Sequence, residues 1–349
     1  MRVAIIAPPW VPVPPTSYGG TEVVLDNLAR GLVAAGHDVL LYATGDSTCP
    51  VPIRWARQTA AGTVATGSAT ELHHVINAYD AIVHWGPDVV HDHTLVGPVY
   101  ASRFDVPVVT TNHGPFDSEL GDYYRAIAGT VPIIALSRQH AASARGIPVA
   151  ATIHHAIDVD VFPMGAGQGG YALFLGRMSP DKGVDVAARV ARAAGVPLRI
   201  AAKMREPAEH AYFESMVAPL LGAGIDYLGE VSSQDKLALL ADATCLLNPI
   251  QWNEPFGIVM IEALACGTPV VATPLGSAPD LINDGVTGFL RSTEPELAEA
   301  LVRAGDLSRH RCRLEALDRF NTPRMVDRHL QVYNNTLRAQ FGRAHSACV

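Results

Sequence analysis

The segment 253–263 combines two glutamates with a proline and a glycine at the start of a predicted helix, and its letters are NEPFGIVMIEA. Glu254 precedes the helix start, and Glu262 lies about two helical turns further along. Backbone amides at a helix start attract anions, because the positive end of the helix dipole lies there. A ligand with hydroxyls at both ends and phosphates between them, such as a sugar nucleotide, would fit this order of groups.

The amides that would contact the phosphates belong to Phe256, Gly257 and Ile258. Pro255 is typical of a helix start, where its missing amide hydrogen is not needed, and Gly257 allows a ligand to approach the backbone closely. A capped helix with two solvated glutamates is the alternative. That alternative is the better one for either glutamate alone, whereas the whole segment favours a binding site.

A second segment, 174–183, places two cations on one turn between a predicted strand and a predicted helix. The planar guanidinium of Arg177 can bind a diphosphate through two hydrogen bonds, and the ammonium of Lys182 can act as a point charge. Both would offset the negative charge that grows on a departing nucleotide. Two ordinary surface cations are the alternative.

The glycine pair Gly19 and Gly20 precedes the first predicted helix and follows a proline-rich loop. Backbone without side chains lets a phosphate or a sugar approach closely. The next residue, Thr21, is predicted to cap the helix. A simple tight turn is the alternative to a binding role.

Ten of the 14 histidines lie before residue 160. His91 and His93 end a predicted strand on the same face, which would suit two ligands of a metal. The sequence shows no third ligand, so we expect neutral histidines and no metal. His113 follows another strand into a loop at the same edge of the predicted sheet, and Ser137 and Arg138 are further candidates there.

Short β-branched runs alternate with helical stretches along the chain, which predicts parallel sheets covered by helices on both faces. The predicted strands are at 2–7, 38–42, 88–91, 106–111 and 133–135, and then at 171–175, 198–201, 225–228, 245–248 and 269–272. The predicted helices are at 21–35, 184–194, 208–218, 234–241 and 257–266. The fold class is therefore α/β with two doubly wound, Rossmann-like domains, and ligands are expected in a cleft at the carboxyl ends of their strands.

The glycine-rich stretch 162–170 separates the two series and is predicted to be a flexible joint. Its glycines precede a strand, whereas those of a dinucleotide-binding motif follow one. We therefore predict an N-terminal domain at 1–164 and a C-terminal domain at 165–324. A C-terminal helix and tail follow at 325–349, and packing of this helix against the first domain is one option.

Composition excludes several classes of function. The 349 residues are 48% hydrophobic, which suffices for two cores, and the formal net charge of −8 disfavours binding to nucleic acid. The apolar runs are too short to span a membrane, and the first of them ends at Pro8 without the pattern of a signal peptide. The five dispersed cysteines indicate free thiols. We expect a cytoplasmic protein with no integral membrane association.

At these motifs the chain resembles a known family. The spacing from Glu254 to Glu262 matches the E-x7-E motif of retaining glycosyltransferases with the GT-B fold, which are grouped with glycogen synthases and bacterial phosphatidylinositol mannosyltransferases in family 4. The segments 265–272 and 285–290 also resemble that family, and residues 176–183 match its G-R-x4-K-G element. The resemblance covers most of the chain and is tightest from 171 to 290.

The resemblance implies that the N-terminal domain binds the acceptor and the C-terminal domain the donor, and it implies a role for each motif. Glu254 would contact hydroxyls of the donor sugar, Glu262 the ribose, and Gly19 and Gly20 the donor phosphate and the acceptor. His113 would lie near the anomeric carbon, where it positions the sugar and stabilises positive charge, while the leaving phosphate takes the proton of the acceptor. The donor is then a substrate, and neither a cofactor nor a metal is required.

The leading hypothesis is transfer of a hexose-like unit from a UDP-sugar, or from a GDP-sugar, to a hydroxyl of a small molecule, a secondary metabolite or a glycan. A nucleotide-sugar epimerase, a sugar phosphorylase on the same fold and a non-catalytic nucleotide-sugar binder are the alternatives. The sequence leaves open whether Lys203 adds a third charge near the donor or faces solvent. It also leaves open the role of His155, which stands where the family has an N-G-x-D element.

Overall fold

The computed structural model describes residues 1–16, 19–62 and 68–346, and the chain divides into two compact units. The first unit contains Met1–Ala156 and the C-terminal segment that begins at Thr322, and the second unit is Ile157–Asn321. The boundaries predicted at 164 and 324 lie a few residues beyond these divisions. Ser17 and Tyr18 of the predicted glycine loop, and residues 347–349 of the predicted tail, lie outside the described residues.

A parallel sheet forms the centre of the first unit. Its strands are β1 (Arg2–Ile6), β2 (Asp38–Tyr42), β3 (Ile53–Arg54), β4 (Val89–Asp92), β5 (Val108–Thr111), β6 (Ile133–Ala135) and β7 (Val149–Thr152), in the spatial order β3-β2-β1-β4-β5-β6-β7. Its helices are α1 (Gly20–Ala34), α2 (Ser68–Trp85), α3 (Gly97–Tyr100), α4 (Glu119–Ile127) and α5 (Arg138–Ser143). The strand order reverses between β1 and β4, which is where doubly wound sheets bind ligands.

The second unit repeats this plan. Its strands are β8 (Ala172–Arg177), β9 (Leu198–Lys203), β10 (Ile225–Gly229), β11 (Cys245–Asn248), β12 (Val270–Ala272) and β13 (Gly288–Leu290), in the order β10-β9-β8-β11-β12-β13. Its helices are α6 (Val184–Ala194), α7 (Pro207–Tyr212), α8 (Ser233–Asp242), α9 (Ile258–Ala265), α10 (Ala278–Leu281), α11 (Glu294–Arg303) and α12 (Arg309–Arg319). Both sheets are parallel, so the predicted α/β class with two Rossmann-like domains is confirmed.

The last helix, α13 (Thr322–Ser346), returns to the first unit and packs against α1. A Cβ added at Gly31 of α1 would lie 2.6 Å from Cγ2 of Thr322 and 2.7 Å from Cγ2 of Val326. The two helices therefore approach so closely that only a glycine fits at this point of α1. Met325, Val326 and Tyr333 are buried on the inner face of α13, which makes this helix part of the first unit's core.

Two local predictions are wrong. Helix α1 begins at Gly20 with Gly19 as its N-cap, so Thr21 lies inside the helix and does not cap it. A Cβ at Gly19 would lie 2.7 Å from the Cβ of Pro15, so this glycine allows the loop to pack closely against the helix start. The helix predicted at 208–218 is a composite, because α7 is followed by a π-helical turn at Phe213–Val217 and a 3-10 turn at Ala218–Leu220.

The glycine-rich stretch predicted as a flexible joint is packed against the second unit. The amide of Gly165 donates to the carbonyl of Cys266 at 3.0 Å, and the amide of Gly169 donates to that of Asp242 at 2.9 Å. The guanidinium of Arg309 bonds the carbonyls of Gly165 and Ala243 at 2.8 and 2.9 Å. The glycines here provide close approach between backbones, and the arginine satisfies carbonyls that helix ends and loops leave without partners.

Candidate functional site

Two loops meet at the point where the strand order of the second unit reverses. One loop follows β8 and the other follows β11, and the amide of Gln251 donates to the carbonyl of Asp181 at 2.8 Å. Gly183 has a φ of +70°, and a Cβ at this position would lie well inside 3.0 Å of the carbonyl oxygen of Pro249. The close contact that brings the two predicted motifs together therefore requires a glycine at position 183.

An ion pair joins the two loops. Nζ of Lys182 donates a hydrogen bond to Oε1 of Glu254, and the side chains are only 12% and 15% exposed. The same ammonium lies 5.6 Å from the centre of the Trp252 ring, within the range of a cation–π contact. The lysine and the glutamate neutralise each other, so an anion that binds here would compete with Glu254 for Lys182.

Residues that follow β12 hold the loop that carries Glu254 through hydrogen bonds to its backbone carbonyls. The amide of Ser277 donates to the carbonyl of Glu254 at 3.0 Å, and its hydroxyl donates to the carbonyl of Phe256. A Cβ at Gly276 would collide with the backbone of Glu254. Gly276 and Ser277 were missed at the sequence level, although their place directly after a buried strand is a signal that could have found them.

Helix α9 starts next to the Glu254 side chain. Gly257 is its N-cap with a φ of +75°, and a Cβ at Gly257 would lie 3.2 Å from Oε2 of Glu254. Among the residues that the structure describes, no side chain caps this helix start. The first amides of an α-helix have no acceptor within the helix, and they carry the positive end of its dipole. The structure therefore places Glu254 between a lysine and a helix start, an arrangement that can bind an anion beside a hydroxyl-bearing group.

Arg177 stands at the end of β8 with its side chain 40% exposed. Its guanidinium contacts Oδ2 of Asp181 at 3.2 Å and Oγ of Ser179 at 3.3 Å, and lies 3.8 Å from Oε1 of Glu209. The neighbouring residue in β9, paired with Arg177 in the sheet, is Lys203. Two cations are thus side by side at the carboxyl ends of adjacent strands.

Lys203 is buried, with 6% of its side chain exposed, so the alternative that it faces solvent is wrong. Its Nζ lies 3.7 Å from Oε1 of Glu209 and 3.9 Å from Oε1 of Glu206. Oε2 of Glu209 accepts the amides of Arg205 and Glu206 at 2.7 and 3.1 Å. Glu209 is therefore held by the backbone as the shared counter-ion of Lys203 and Arg177. Glu209 was missed at the sequence level, although its spacing from Glu206 is that of a capping box.

The second glutamate of the predicted motif, Glu262, lies on α9 with only 3% of its side chain exposed. Its Oε1 accepts a hydrogen bond from Nζ of Lys236 at 2.6 Å. Lys236 belongs to α8 and is 27% exposed. Lys236 was also missed at the sequence level, because nothing in a polar helix distinguishes one lysine before its partner is known.

The first unit gathers histidines at the carboxyl ends of β4 and β5. Nδ1 of His93 and Nε2 of His113 are 2.9 Å apart, and the ring of His113 stacks on that of His155 with centres 5.4 Å apart. His91 lies 2.8 Å from the hydroxyl of Tyr333 and 2.9 Å from that of Thr111. The hydroxyl of Ser137, a further predicted candidate, caps α5 by accepting the amide of His140 at 3.1 Å.

Burial keeps these histidines neutral. Desolvation, with a smaller contribution from neighbouring histidines, lowers the pKa of His113 to about 3, and burial lowers the pKa of His329 to about 4. The same causes hold the pKa of His91, His93 and His155 well below the usual value. Within residues 1–16, 19–62 and 68–346, no three histidine, cysteine, aspartate or glutamate side chains are arranged to hold a metal ion.

The predicted site residues divide between the two units. Those of the second unit lie in and around the two joined loops and α9, and they are Arg177, Lys182, Glu254, Phe256, Gly257, Ile258 and Glu262. Those of the first unit are Gly19, Gly20 and His113. Across the part of the chain that the structure describes, every helix is too short or too polar to cross a membrane.

Two family models match the chain. The model for glycosyl transferases group 1 matches residues 169–306, and the model for glycosyltransferase family 4 matches residues 18–161. The first match contains both joined loops and Glu262, and the second contains the glycine pair and His113.

Individual relatives agree with these matches. The phosphatidyl-myo-inositol mannosyltransferase of Mycobacterium tuberculosis is 28% identical, over 88% of this chain and 86% of that protein. The structure of AviGT4, a glycosyltransferase involved in avilamycin A biosynthesis, has a TM-score of 0.74 at 25% identity, covering 97% of this chain and 98% of that one. HepE of Anabaena, in complex with UDP and glucose, has a TM-score of 0.76 at 18% identity, covering 96% and 100%, a likeness of fold.

The motifs, the two doubly wound sheets and these matches agree with one another. The chain therefore belongs to glycosyltransferase family 4 and has the GT-B fold, which is built from two Rossmann-like α/β domains.

Proposed function

We propose that the protein is a metal-independent, retaining glycosyltransferase that moves a sugar from a UDP-sugar, or from a GDP-sugar, to the hydroxyl of a small molecule or glycan. The observation that carries this proposal is the ion pair of Lys182 and Glu254 beside the start of α9. It combines a cation for a phosphate, a carboxylate for sugar hydroxyls and helix amides for an anion. A nucleotide-diphosphate sugar carries all three partners in adjacent positions.

Binding of the donor would exchange partners within this pair. The diphosphate takes the ammonium of Lys182, and the carboxylate of Glu254 is released to accept hydrogen bonds from the donor sugar. Arg177, which is more exposed than Lys182, completes the set of cations. Charge that develops on the leaving diphosphate is stabilised by groups already in place, and stabilisation of this kind supplies much of the rate enhancement in many enzymes. These cations and the helix start take the part that a divalent metal takes elsewhere, which supports metal independence.

Retention follows if the leaving phosphate accepts the proton of the attacking hydroxyl on the same face of the sugar. No separate base is then needed, which agrees with a His113 that burial keeps neutral, with its pKa lowered to about 3. We assign to His113 the positioning of the donor sugar and the stabilisation of positive charge at the anomeric carbon. Gly19 and Gly20 would let the donor phosphate and the acceptor approach the backbone of the first unit.

UDP is favoured as the nucleotide because HepE, which shares the fold, was crystallised with UDP and glucose. The acceptor is proposed to be a small molecule, a secondary metabolite or a glycan. AviGT4 acts in the biosynthesis of avilamycin A, whereas the mannosyltransferase relative is named for a lipid acceptor. The acidic chain with buried, free thiols at Cys49, Cys245, Cys266 and Cys312 fits a cytoplasmic location.

Calorimetric titration with UDP, GDP and ADP in the presence of EDTA tests the donor site. We expect one nucleotide to bind in the micromolar range, and an Arg177→Ala/Lys182→Ala variant to lose this binding. Arg189→Ala, which removes a cation of α6 that pairs with Asp185 and Glu294, is the matched control and should bind as the wild type does. Absence of binding for all three nucleotides would refute the donor site.

The reaction itself is tested with the matching nucleotide sugars and a panel of hydroxyl acceptors. Proton NMR of the product should show the anomeric configuration of the donor. An inverted product would refute retention, and a sugar altered without any acceptor would indicate an epimerase. Nucleotide binding without turnover over a wide panel would support a binder in place of an enzyme.

A further inference from the structure

The ion pair of Lys236 and Glu262 is not explained by the packing of the second unit. Glu262 is almost fully buried on α9, and Lys236 reaches it from α8 across 26 residues of sequence with a hydrogen bond of 2.6 Å. Burying a carboxylate is costly even when it is paired, and buried ion pairs are often no more stable than apolar side chains of similar volume. A buried ion pair in this position therefore points to a role in binding.

The carboxylate of Glu262 has capacity for more than this one bond. An ionised carboxylate offers about four lone-pair sites on two oxygens. Nζ of Lys236 occupies one site on Oε1. A vicinal diol, with two neighbouring hydroxyl donors, matches the remaining sites, provided that the carboxylate keeps one orientation.

Lys236 satisfies this condition. Its hydrogen bond fixes one oxygen, so the plane of the carboxylate is set before the ligand arrives, and the preorganisation reduces the entropy lost on binding. Lys236 itself is 27% exposed, so it is the outer member of the pair and Glu262 the inner one.

We infer that Lys236 is a positioning residue that gives the protein its preference for a nucleotide with an intact ribose diol, by holding Glu262 in one orientation. The inference rests on the proposed function, in which Glu262 contacts the ribose. In this inference, Lys236, which lies outside the E-x7-E motif, determines the discrimination between ribonucleotides and deoxyribonucleotides.

The test compares UDP with 2′,3′-dideoxy-UDP, which lacks both hydroxyls, by calorimetry on the full chain. If GDP is the tighter ligand, GDP and its dideoxy analogue are used. Loss of hydrogen bonds to a charged acceptor weakens binding by about ten- to a hundredfold, so the wild type should prefer UDP by that factor. Lys236→Met, which keeps the length of the side chain without its charge, should reduce the preference to about threefold or less.

Four further variants make the result specific. Lys236→Arg keeps the charge and should restore much of the preference. Glu262→Gln should lose it, and adding Lys236→Met to Glu262→Gln should change nothing more. Arg189→Met, which removes a cation from an ion pair on α6, should behave as the wild type does. Affinity for dideoxy-UDP should be nearly equal in all these proteins, and this equality also shows that the variants are folded.

Each outcome separates the inference from the proposed function. A Lys236→Met variant that prefers UDP as strongly as the wild type overturns the inference and leaves the donor site intact. A wild type that binds both ligands equally also overturns it, because Glu262 then does not read the ribose. A wild type that binds neither ligand refutes the proposed function and, with it, this inference. If Lys236→Met loses the near-ultraviolet circular dichroism of the native fold, Lys236→Gln takes its place.

Discussion

Replacing Gly183 by alanine should both destabilise the second unit and weaken nucleotide binding. Two effects add at this position. The φ of +70° costs an L-residue roughly 1–2 kcal/mol. The new Cβ would also collide with the carbonyl oxygen of Pro249 in the opposite loop, and such overpacking costs about 1–3 kcal/mol. We therefore expect Gly183→Ala to lower the free energy of unfolding by about 2–5 kcal/mol.

The chain offers a closely matched control at the other end of the same helix. Gly195 ends α6 with a φ of +66°, and a Cβ there meets no atom within 4 Å. Gly195→Ala thus carries the backbone strain without the collision and should cost about 1–2 kcal/mol. The difference in the free energy of unfolding between the two variants measures the cost of the collision between the loops after β8 and β11.

Urea unfolding followed by tryptophan fluorescence is a suitable assay, because Trp252 is the one tryptophan in the sequence 157–321 and lies in the affected loop. Nucleotide affinity is measured in parallel. Gly183→Ala should bind about tenfold or more weakly, since a loop pushed away from Pro249 carries Lys182 away from Glu254. Gly195→Ala should bind normally. Equal stability and equal affinity for the two variants would refute the argument that the joined loops form the donor site.

Three other predictions concern the charges and histidines. Lys203→Met should weaken nucleotide binding by about tenfold while Lys203→Arg retains it, as measured by calorimetry, and unchanged binding in Lys203→Met would exclude a third cation. Arg309→Ala should lower the melting temperature of the second unit in scanning calorimetry, because the guanidinium of Arg309 bonds several backbone carbonyls. The free energy of unfolding should fall by more than about 3 kcal/mol. Burial lowers the pKa values of the clustered histidines, to about 3 for His113 and about 4 for His329. The stability that depends on their neutral form is therefore present above about pH 6.5, the pKa of an unfolded histidine. It is lost as the pH falls from there towards the folded-state values. Urea midpoints of the first unit should fall between pH 7.5 and 5, because below about pH 6.5 the free energy of unfolding decreases by about 1.4 kcal/mol per pH unit for each histidine concerned. A flat profile would contradict the neutral cluster.

The sequence predicted the fold class well because buried parallel strands are short, continuous apolar runs. The strands at Asp38–Tyr42, Ile133–Ala135 and Cys245–Asn248, and the helix at Val184–Ala194, lie where they were predicted. Helix α2 (Ser68–Trp85) was missed, since its histidines, asparagine and tyrosine mask the apolar period. Such a helix is stabilised by tertiary packing, which local patterns report only weakly.

The candidate site was predicted as separate motifs and not as a set of contacts. The G-R-x4-K-G and E-x7-E elements fixed the identities of Lys182 and Glu254, but 72 residues separate these two side chains and no local rule pairs them. The capping-box spacing of Glu209 does not predict a counter-ion, and Lys236 carries no motif, so the roles of both as counter-ions became visible only when the partners lay beside them. The sequence shows where the histidines are, whereas their neutral state depends on burial in the folded protein.

The return of α13 to the first unit has a consequence for the order in which the protein folds during synthesis. Residues 157–321 are contiguous, and their ends lie together, because the amide of Ile157 donates to the carbonyl of Phe320 at 3.0 Å. The second unit can therefore fold while the first still lacks Val326 and Tyr333. At about 5–20 residues per second, the ribosome leaves α1 without its partner helix for roughly fifteen to sixty seconds. The half of the protein that is made first is the half that finishes last, and its apolar helix surface is what a chaperone would protect during that interval.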